Sequence, residues 1–381
     1  MAADVTPRVL NRTLLARQHL LERLPGGDPR ADPVALTSHL LGLQAQEPLP
    51  PYLSLAARVD GFDPRDLSRA LAERRVLRVL LMRGTIHTVT PDDARLLRVL
   101  VQPFLDKVSR NSAASRPAAH VPLDGLVASG RALMADGPVP VKGLGAALAG
   151  RFDAPPSALV NRLREGAPLV QTPPRGLWGR PGGVAYVTLE SWLGERDGTL
   201  DLRSDTLPDG ASRSEALAGV VRRYLAAFGP GTPADVTTWS GITGVRAVFD
   251  ALGDELVALR TDDGRTVWDL AGVSLADSDA PAPARLLGRY DNVWLSHAGR
   301  DRVTPPDARR RWMGSNGGVG SAVLVDGFMA GLWSTTAQGR VEVELFDRVS
   351  RAQQAELDAE AARVEALLAV PADEDAAAVN R

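Results

Sequence analysis

No cysteine occurs among the 381 residues, so disulfides, iron–sulfur clusters, cysteine nucleophiles and cysteine-ligated zinc are all excluded. Histidine is scarce too. The five copies (His19, His39, His87, His120 and His297) never fall within a helical turn of one another, so no closely spaced metal site is expected. No cofactor is expected either. Lysine supplies two of the 44 cations, Lys107 and Lys142, and neither sits where a Schiff-base nucleophile would be expected. No stretch reaches the ~18 consecutive apolar residues of a membrane span. Asp4 stands where a secretory signal would need an apolar run. The expectation is a cytoplasmic protein without a membrane partner. Phosphate loops, dinucleotide-binding glycines, serine nucleophile elbows and paired metalloprotease histidines are missing as well.

What is present reads as an ordinary globular chain, 44% apolar and 24% charged. Its length allows two to four folded units at ~100–200 residues each. The net charge of −2 conceals an asymmetry. Residues 1–180 carry 24 Lys and Arg against 16 Asp and Glu, a net of +8; the remainder carries 20 against 30, a net of −10. A basic half of that kind suits a polyanion.

One arrangement recurs three times: short helices, then two strands joined at a turn. It is clearest over residues 211–270. Ser212 and Glu215 form a capping box, and Leu217, Val220, Val221, Tyr224, Leu225 and Phe228 repeat with helical period up to Gly229-Pro230. Thr232-Pro233 opens a second helix, and Val245, Val248 and Phe249 mark a third. Leu256–Arg260 and Thr266–Leu270 are strands about the turn residues Asp262-Asp263-Gly264. Three helices and a terminal hairpin are the parts of a winged helix. Looser copies cover residues 31–90, with strands at Val76–Met82 and Thr85–Thr90, and 122–189, with strands near Pro168–Thr172 and Val184–Leu189.

The last hundred or so residues differ. Leu286–Leu295, Ala322–Phe328, Ala330–Trp333 and Arg340–Phe346 read as strands of a small sheet or barrel-like unit. Gly317-Gly318-Val319-Gly320 reads as a turn, Ser350 as the cap of a final helix, and the tail after Pro371 as disordered. The expected fold is therefore α+β: three tandem winged-helix units (1–120, 121–205 and 206–283) and a C-terminal β unit (284–381).

Chemistry concentrates at Gln44-Ala45-Gln46-Glu47-Pro48. Leu36, Leu40 and Leu43 place an apolar stripe before it, and Pro48 forces the preceding residue out of the helical region. In extended backbone residues i and i+2 point the same way. Two neutral amides would therefore project side by side from a packed helix end. They could equally cap the helix carbonyls or face solvent.

Gln44-Ala45-Gln46, with Leu81-Met82-Arg83-Gly84-Thr85-Ile86-His87, Trp239-Ser240-Gly241 and Tyr290-Asp291-Asn292-Val293-Trp294-Leu295-Ser296-His297, resembles the AlkZ-like winged-helix DNA glycosylases. The resemblance runs through nearly the whole chain in the right order. It implies hydrolysis of N-glycosidic bonds of cationic alkylated purines or their crosslinks, in repair or self-resistance. It implies Gln44 and Gln46 as the catalytic pair, in the Gln-x-Gln form of the motif. The partner implied is double-stranded DNA carrying alkylated purines, bound by a monomer. Arg83 and His87 in the first wing are candidate DNA contacts. So are Asp291, His297, Arg300 and Arg302 in and after the last motif. The alternative is a winged-helix DNA-binding protein without catalysis, which would have no use for paired glutamines.

Overall fold

The computed structural model describes residues 3–194, 200–207, 209–312 and 320–372. Most of the glycine run (317–319) and the tail from residue 373 lie outside them. The chain is α+β, with three sheets among the described residues.

Helix starts follow the caps in the sequence. Thr6, Asp32, Asp63, Thr90 and Thr232 each cap a helix whose first residue is proline. Proline suits that position because the first-turn N–H groups have no helical partner and its φ is already helical. Ser212 and Glu215 form the full capping box of Arg213–Phe228, and the six apolar residues of its periodic stripe are its buried face. Helices Pro233–Ser240 and Val245–Leu252 and a hairpin, Leu256–Thr261 with Thr266–Leu270, complete the group. One strand comes from elsewhere: Ala3–Val5 pairs in parallel with Leu256–Thr261. Three residues are too few to show a period, so nothing in the sequence marks it.

The other two hairpins do not stay separate. They share one six-stranded sheet in the order Leu43–Gln44, Ile86–Val89, Leu77–Leu80, Leu169–Gln171, Ala185–Thr188, Val139–Pro140. Val79 opposite Val170 is the junction. Leu43–Gln44 is therefore an edge strand.

The C-terminal strands Arg285–Leu287, Ala322–Val325, Phe328–Thr335 and Val341–Leu345 form an open antiparallel meander in chain order. Of the small sheet or barrel-like unit expected from the sequence, the described residues form the small sheet, without barrel closure. Helix Arg351–Leu368 packs against both edge strands instead. The expected strand Leu286–Leu295 also ends early. Tyr290 takes a φ of +61°, and Asp291 caps a short helix, Asn292–Leu295. A short apolar run fits helix or strand equally, and here the cap decides.

One apolar core gathers residues from Leu14 to Leu367, and a second forms around Leu126, Leu144, Leu159 and Leu163. Charge is spent where distant parts meet. Arg8 and Arg12 reach Asp326, Arg17 reaches Asp269 at 2.7 Å, and Arg23 reaches Glu360 at 2.6 Å. N-terminal arginines thus grip C-terminal carboxylates. Arg12, Arg58, Arg78 and Arg98 are almost inaccessible. The net +8 of residues 1–180 is therefore not a surface excess of that size.

Candidate active site

The two glutamines sit where a helix is stopped abruptly. Helix Pro33–His39 ends four residues before Leu43, earlier than the apolar stripe suggests. Leu41 (φ +55°) and Gly42 (φ +101°) then turn the chain through a left-handed corner. A Cβ at Gly42 would lie 2.6 Å from the Val89 side chain, so glycine is required there. Leu43–Gln44 pairs with Ile86–Val89, and the Ala45 N–H donates to the Ile86 carbonyl at 2.7 Å. Gln44 is 7% exposed, while Gln46 is open to solvent.

Several backbone groups near the pair are held by side chains. Asn292 Nδ2 donates to the Leu40 and Gly42 carbonyls, at 3.2 and 2.9 Å. Arg78 Nη2 donates to the carbonyl of Ala45, between the two glutamines, at 2.8 Å. The side chains are fixed too. Arg83 Nη2 donates to Gln44 Oε1 at 2.6 Å, while its Nη1 donates to the Trp239 carbonyl. The Ile86 N–H donates to Gln46 Oε1 at 3.2 Å. A guanidinium can face only the oxygen of an amide, so Arg83 sets which way Gln44 points. Both carbonyl oxygens are tied to one short segment, Arg83–Ile86, and neither Nε2 group has a hydrogen-bond partner among the described residues. Arg83 itself has a φ of +55° within the turn Met82–Gly84. Burial, with the like charge of Arg300 second, pulls its pKa down to about 10.

The remaining candidate DNA contacts separate clearly. His87 lies inside the sheet, 2% exposed, with Nδ1 against the Thr85 carbonyl at 3.1 Å. Burial and then the Arg83 charge hold its pKa down to about 3. It has no surface to offer a phosphate. Asp291 is likewise buried, bound through both oxygens to Arg58 at 2.8 Å. Burial opposes its charge, but Arg58 outweighs burial and keeps the carboxyl below its usual range. His297 is 4% exposed, its ring tilted 58° to that of Tyr224 with centroids 6.1 Å apart, and burial holds its pKa down to about 3. All three are nearly buried, so none presents the exposed side chain expected of a DNA contact, and His297 lies at the wall of a cavity. Arg302 donates to the Pro230 carbonyl at 2.7 Å. Arg300 differs from those three, because it is only half buried and lies close enough to Arg83 to lower its pKa.

Arg78, Asn292 and Trp239 contribute to the site without having been assigned there. Arg78 left a trace, as a lone cation within the apolar strand Leu77–Leu80. Asn292 and Trp239 stood in the quoted motifs, but nothing in the sequence says that they meet Leu40, Gly42 and Arg83.

Two amides at the edge strand of a sheet, Gln44 nearly buried and Gln46 open to solvent, with arginines beside them, form an arrangement that can hold a water for hydrolysis. The class of protein follows from comparison with known proteins. A family model described as DNA glycosylase AlkZ-like matches residues 37–367. The chain belongs to the AlkZ-like DNA glycosylase family and is a hydrolase of N-glycosyl bonds, not a DNA-binding protein without catalysis. It is 26% identical over 362 residues to an interstrand DNA cross-link repair glycosylase of Streptomyces sahachiroi, covering 88% of this chain and 91% of that one. The solved structure of the Streptomyces sahachiroi DNA glycosylase AlkZ superposes with a TM-score of 0.78 at 21% identity, over 96% of this chain and 98% of that one. It shares this fold.

Proposed function

We propose that the protein excises cationic N7- or N3-alkylpurines from double-stranded DNA, with Gln44 and Gln46 delivering the attacking water. The observation that carries this reading is the pinning of both amides by the Arg83–Ile86 segment. Each amide keeps a free Nε2 donor and a second lone pair on its oxygen, so the two together can hold one water in a fixed orientation. Water oxygen attacks C1′ as the C1′–N9 bond breaks. The bonding electrons neutralise the positive purine, which leaves uncharged, and the water proton passes to solvent. Positioning accounts for the acceleration, with effective molarities of ~10⁵ M or more in favourable cases.

No carboxylate is assigned to the pair. Glu47, the nearest in sequence, is engaged by Arg289 at 3.3 Å. The developing oxocarbenium ion is therefore not met by a fixed negative charge, often the largest catalytic contribution. The leaving group must bring its own activation. Interstrand crosslinks through N7 satisfy that condition, and the relative from Streptomyces sahachiroi is named for crosslink repair. A role in repair or in self-resistance follows from the same chemistry.

Arg300, a half-buried cation beside Arg83, supports DNA-phosphate contact there. The succession of helices and hairpins supports reading 1–120, 121–205 and 206–283 as winged-helix units and 284–381 as a β unit; the same proposal takes the chain to work as a monomer in the cytoplasm.

The test is release of free 7-methylguanine from methylated duplex, repeated on crosslinked duplex. Gln44→Ala and Gln46→Ala should each slow single-turnover excision about 10²-fold, in the range of losing one oriented catalytic dipole, with duplex affinity nearly unchanged. Uracil, hypoxanthine and 8-oxoguanine should stay in place. Parental rates in both variants, or rapid release of a neutral base, would refute the assignment.

A further inference from the structure

Beyond Pro48 the chain borders a cavity of about 680 Å³ that water delivery does not use. Its volume falls within the roughly 300–1,000 Å³ of small-molecule sites. Leu49 forms one wall, and at 39% it is among the few large apolar side chains left exposed. Leu332 and Trp333 of the C-terminal sheet form another. Trp333 is fixed in place, its indole N–H donating to the Leu287 carbonyl at 2.8 Å. Arg289 also lines the cavity and holds Glu47, the residue after Gln46. The Arg289–Glu47 ion pair therefore links the cavity to the residue that follows Gln46.

Charge says what it can hold. Glu342 and Glu344 line the same cavity, both exposed, and Arg289 is its one cation, already shared with Glu47. A phosphate placed there would meet more negative charge than positive, so the cavity is not a continuation of a DNA-backbone track. An apolar body that is neutral or cationic suits both the floor and the rim.

We propose that this cavity receives the alkyl substituent of the lesion, so that bulky, apolar adducts are preferred to a methyl group. The proposal rests on the reading of Gln44 and Gln46 as the excision site. The substituent does not change during bond cleavage, so the cavity grips it equally in ground and transition states. The preference should therefore appear in KM and kcat/KM and leave kcat largely alone.

The experiment compares duplexes with a single N7-methylguanine, N7-benzylguanine or N7-(4-carboxybenzyl)guanine, which share the cationic leaving group. The full chain should favour benzyl over methyl in kcat/KM by about tenfold or more, the scale on which apolar pockets discriminate. The carboxybenzyl adduct should fall well below benzyl, and the double variant Glu342→Gln/Glu344→Gln should restore it. Leu332→Trp, which fills the cavity, should abolish the benzyl preference and keep methyl excision. Equal rates on methyl and benzyl, or a Leu332→Trp variant that slows all three alike, overturns the cavity assignment and leaves the glutamine pair standing. Failure of the parent to release any of the three bases overturns the glutamine-pair reading, and this one with it.

Discussion

Replacing Arg83 separates two roles that an arginine beside a DNA-repair site could play. Arg83→Met keeps most of the side-chain bulk and removes the donor to Gln44 Oε1, which it holds at 2.6 Å. A hydrogen bond from a charged donor contributes about 1.5–3 kcal/mol. Without it the Gln44 amide is free to rotate, and the water it holds loses its orientation. At about 1.4 kcal/mol per factor of ten, that loss is roughly 10- to 100-fold in single-turnover excision. Duplex affinity should hardly move. Arg83→Lys should recover part of the rate, because an ammonium can reach Gln44 or the Trp239 carbonyl but cannot fork to both. The decisive measurement is the double variant. In a Gln44→Ala background, Arg83→Met should cost nothing further, since its effect passes through the amide. Weakened DNA binding at an unchanged excision rate would make Arg83 a phosphate ligand. Additive losses would make it independent of Gln44. Either result refutes the positioning argument, and thermal melts of each variant show whether release of Trp239 has loosened the fold.

Two further outcomes follow from the buried charges. Asp291→Ala leaves Arg58 enclosed without its carboxylate, a change that costs about 3–5 kcal/mol where a buried pair is broken from one side. It should appear in the urea midpoint and spare excision by the folded fraction; a large loss of DNA affinity at full stability would return Asp291 to the interface. His87 and His297, faced by Arg83 and by Arg300, Arg302 and Asp235 respectively, stay neutral down to about 3 in the fold. A depressed pKa means that their stabilisation is present above the unfolded value near 6.5 and is lost as pH falls toward 3. From pH 7 to 5 each should cost about 2 kcal/mol, so the thermal midpoint should drop over that interval. A midpoint flat from 7 to 5 would contradict their burial.

The legible parts of the sequence were those whose signals are local. The Ser212–Glu215 box, the Thr232-Pro233 start and the Asp262-Asp263-Gly264 turn each act within a few residues, and the elements stand where those signals put them. Local signals also marked the Gln44–Gln46 segment as the point where the chain turns extended, although the corner at Leu41-Gly42, and not a longer helix, makes that turn; the role proposed for the pair came from the family resemblance. What stayed hidden depends on partners far along the chain. Nothing local in Asp291 or His297 says whether they face solvent or a buried neighbour. Their burial follows from Arg58 and Tyr224, more than 70 residues away in each case. The charge asymmetry misled for the same reason, since counting residues cannot show that Arg8, Arg12, Arg17 and Arg23 are spoken for.

The grip of the first helix on the last sheet sets an order on synthesis. Arg8 and Arg12 leave the ribosome long before Asp326, and Asn11 long before the Gly327 carbonyl to which its amide donates at 2.8 Å. The Arg8–Asp326 separation is 318 residues. At ~5–20 residues per second that is roughly 15–65 s, during which the helix Pro7–Arg17 has guanidinium groups but not the carboxylate that receives them. The helix can form early and dock on Arg213–Phe228 and Asp269 once they have emerged, but its grip on the hairpin turn at Asp326-Gly327 closes only when that turn has been made. The last contacts to form therefore include some of the first residues synthesised.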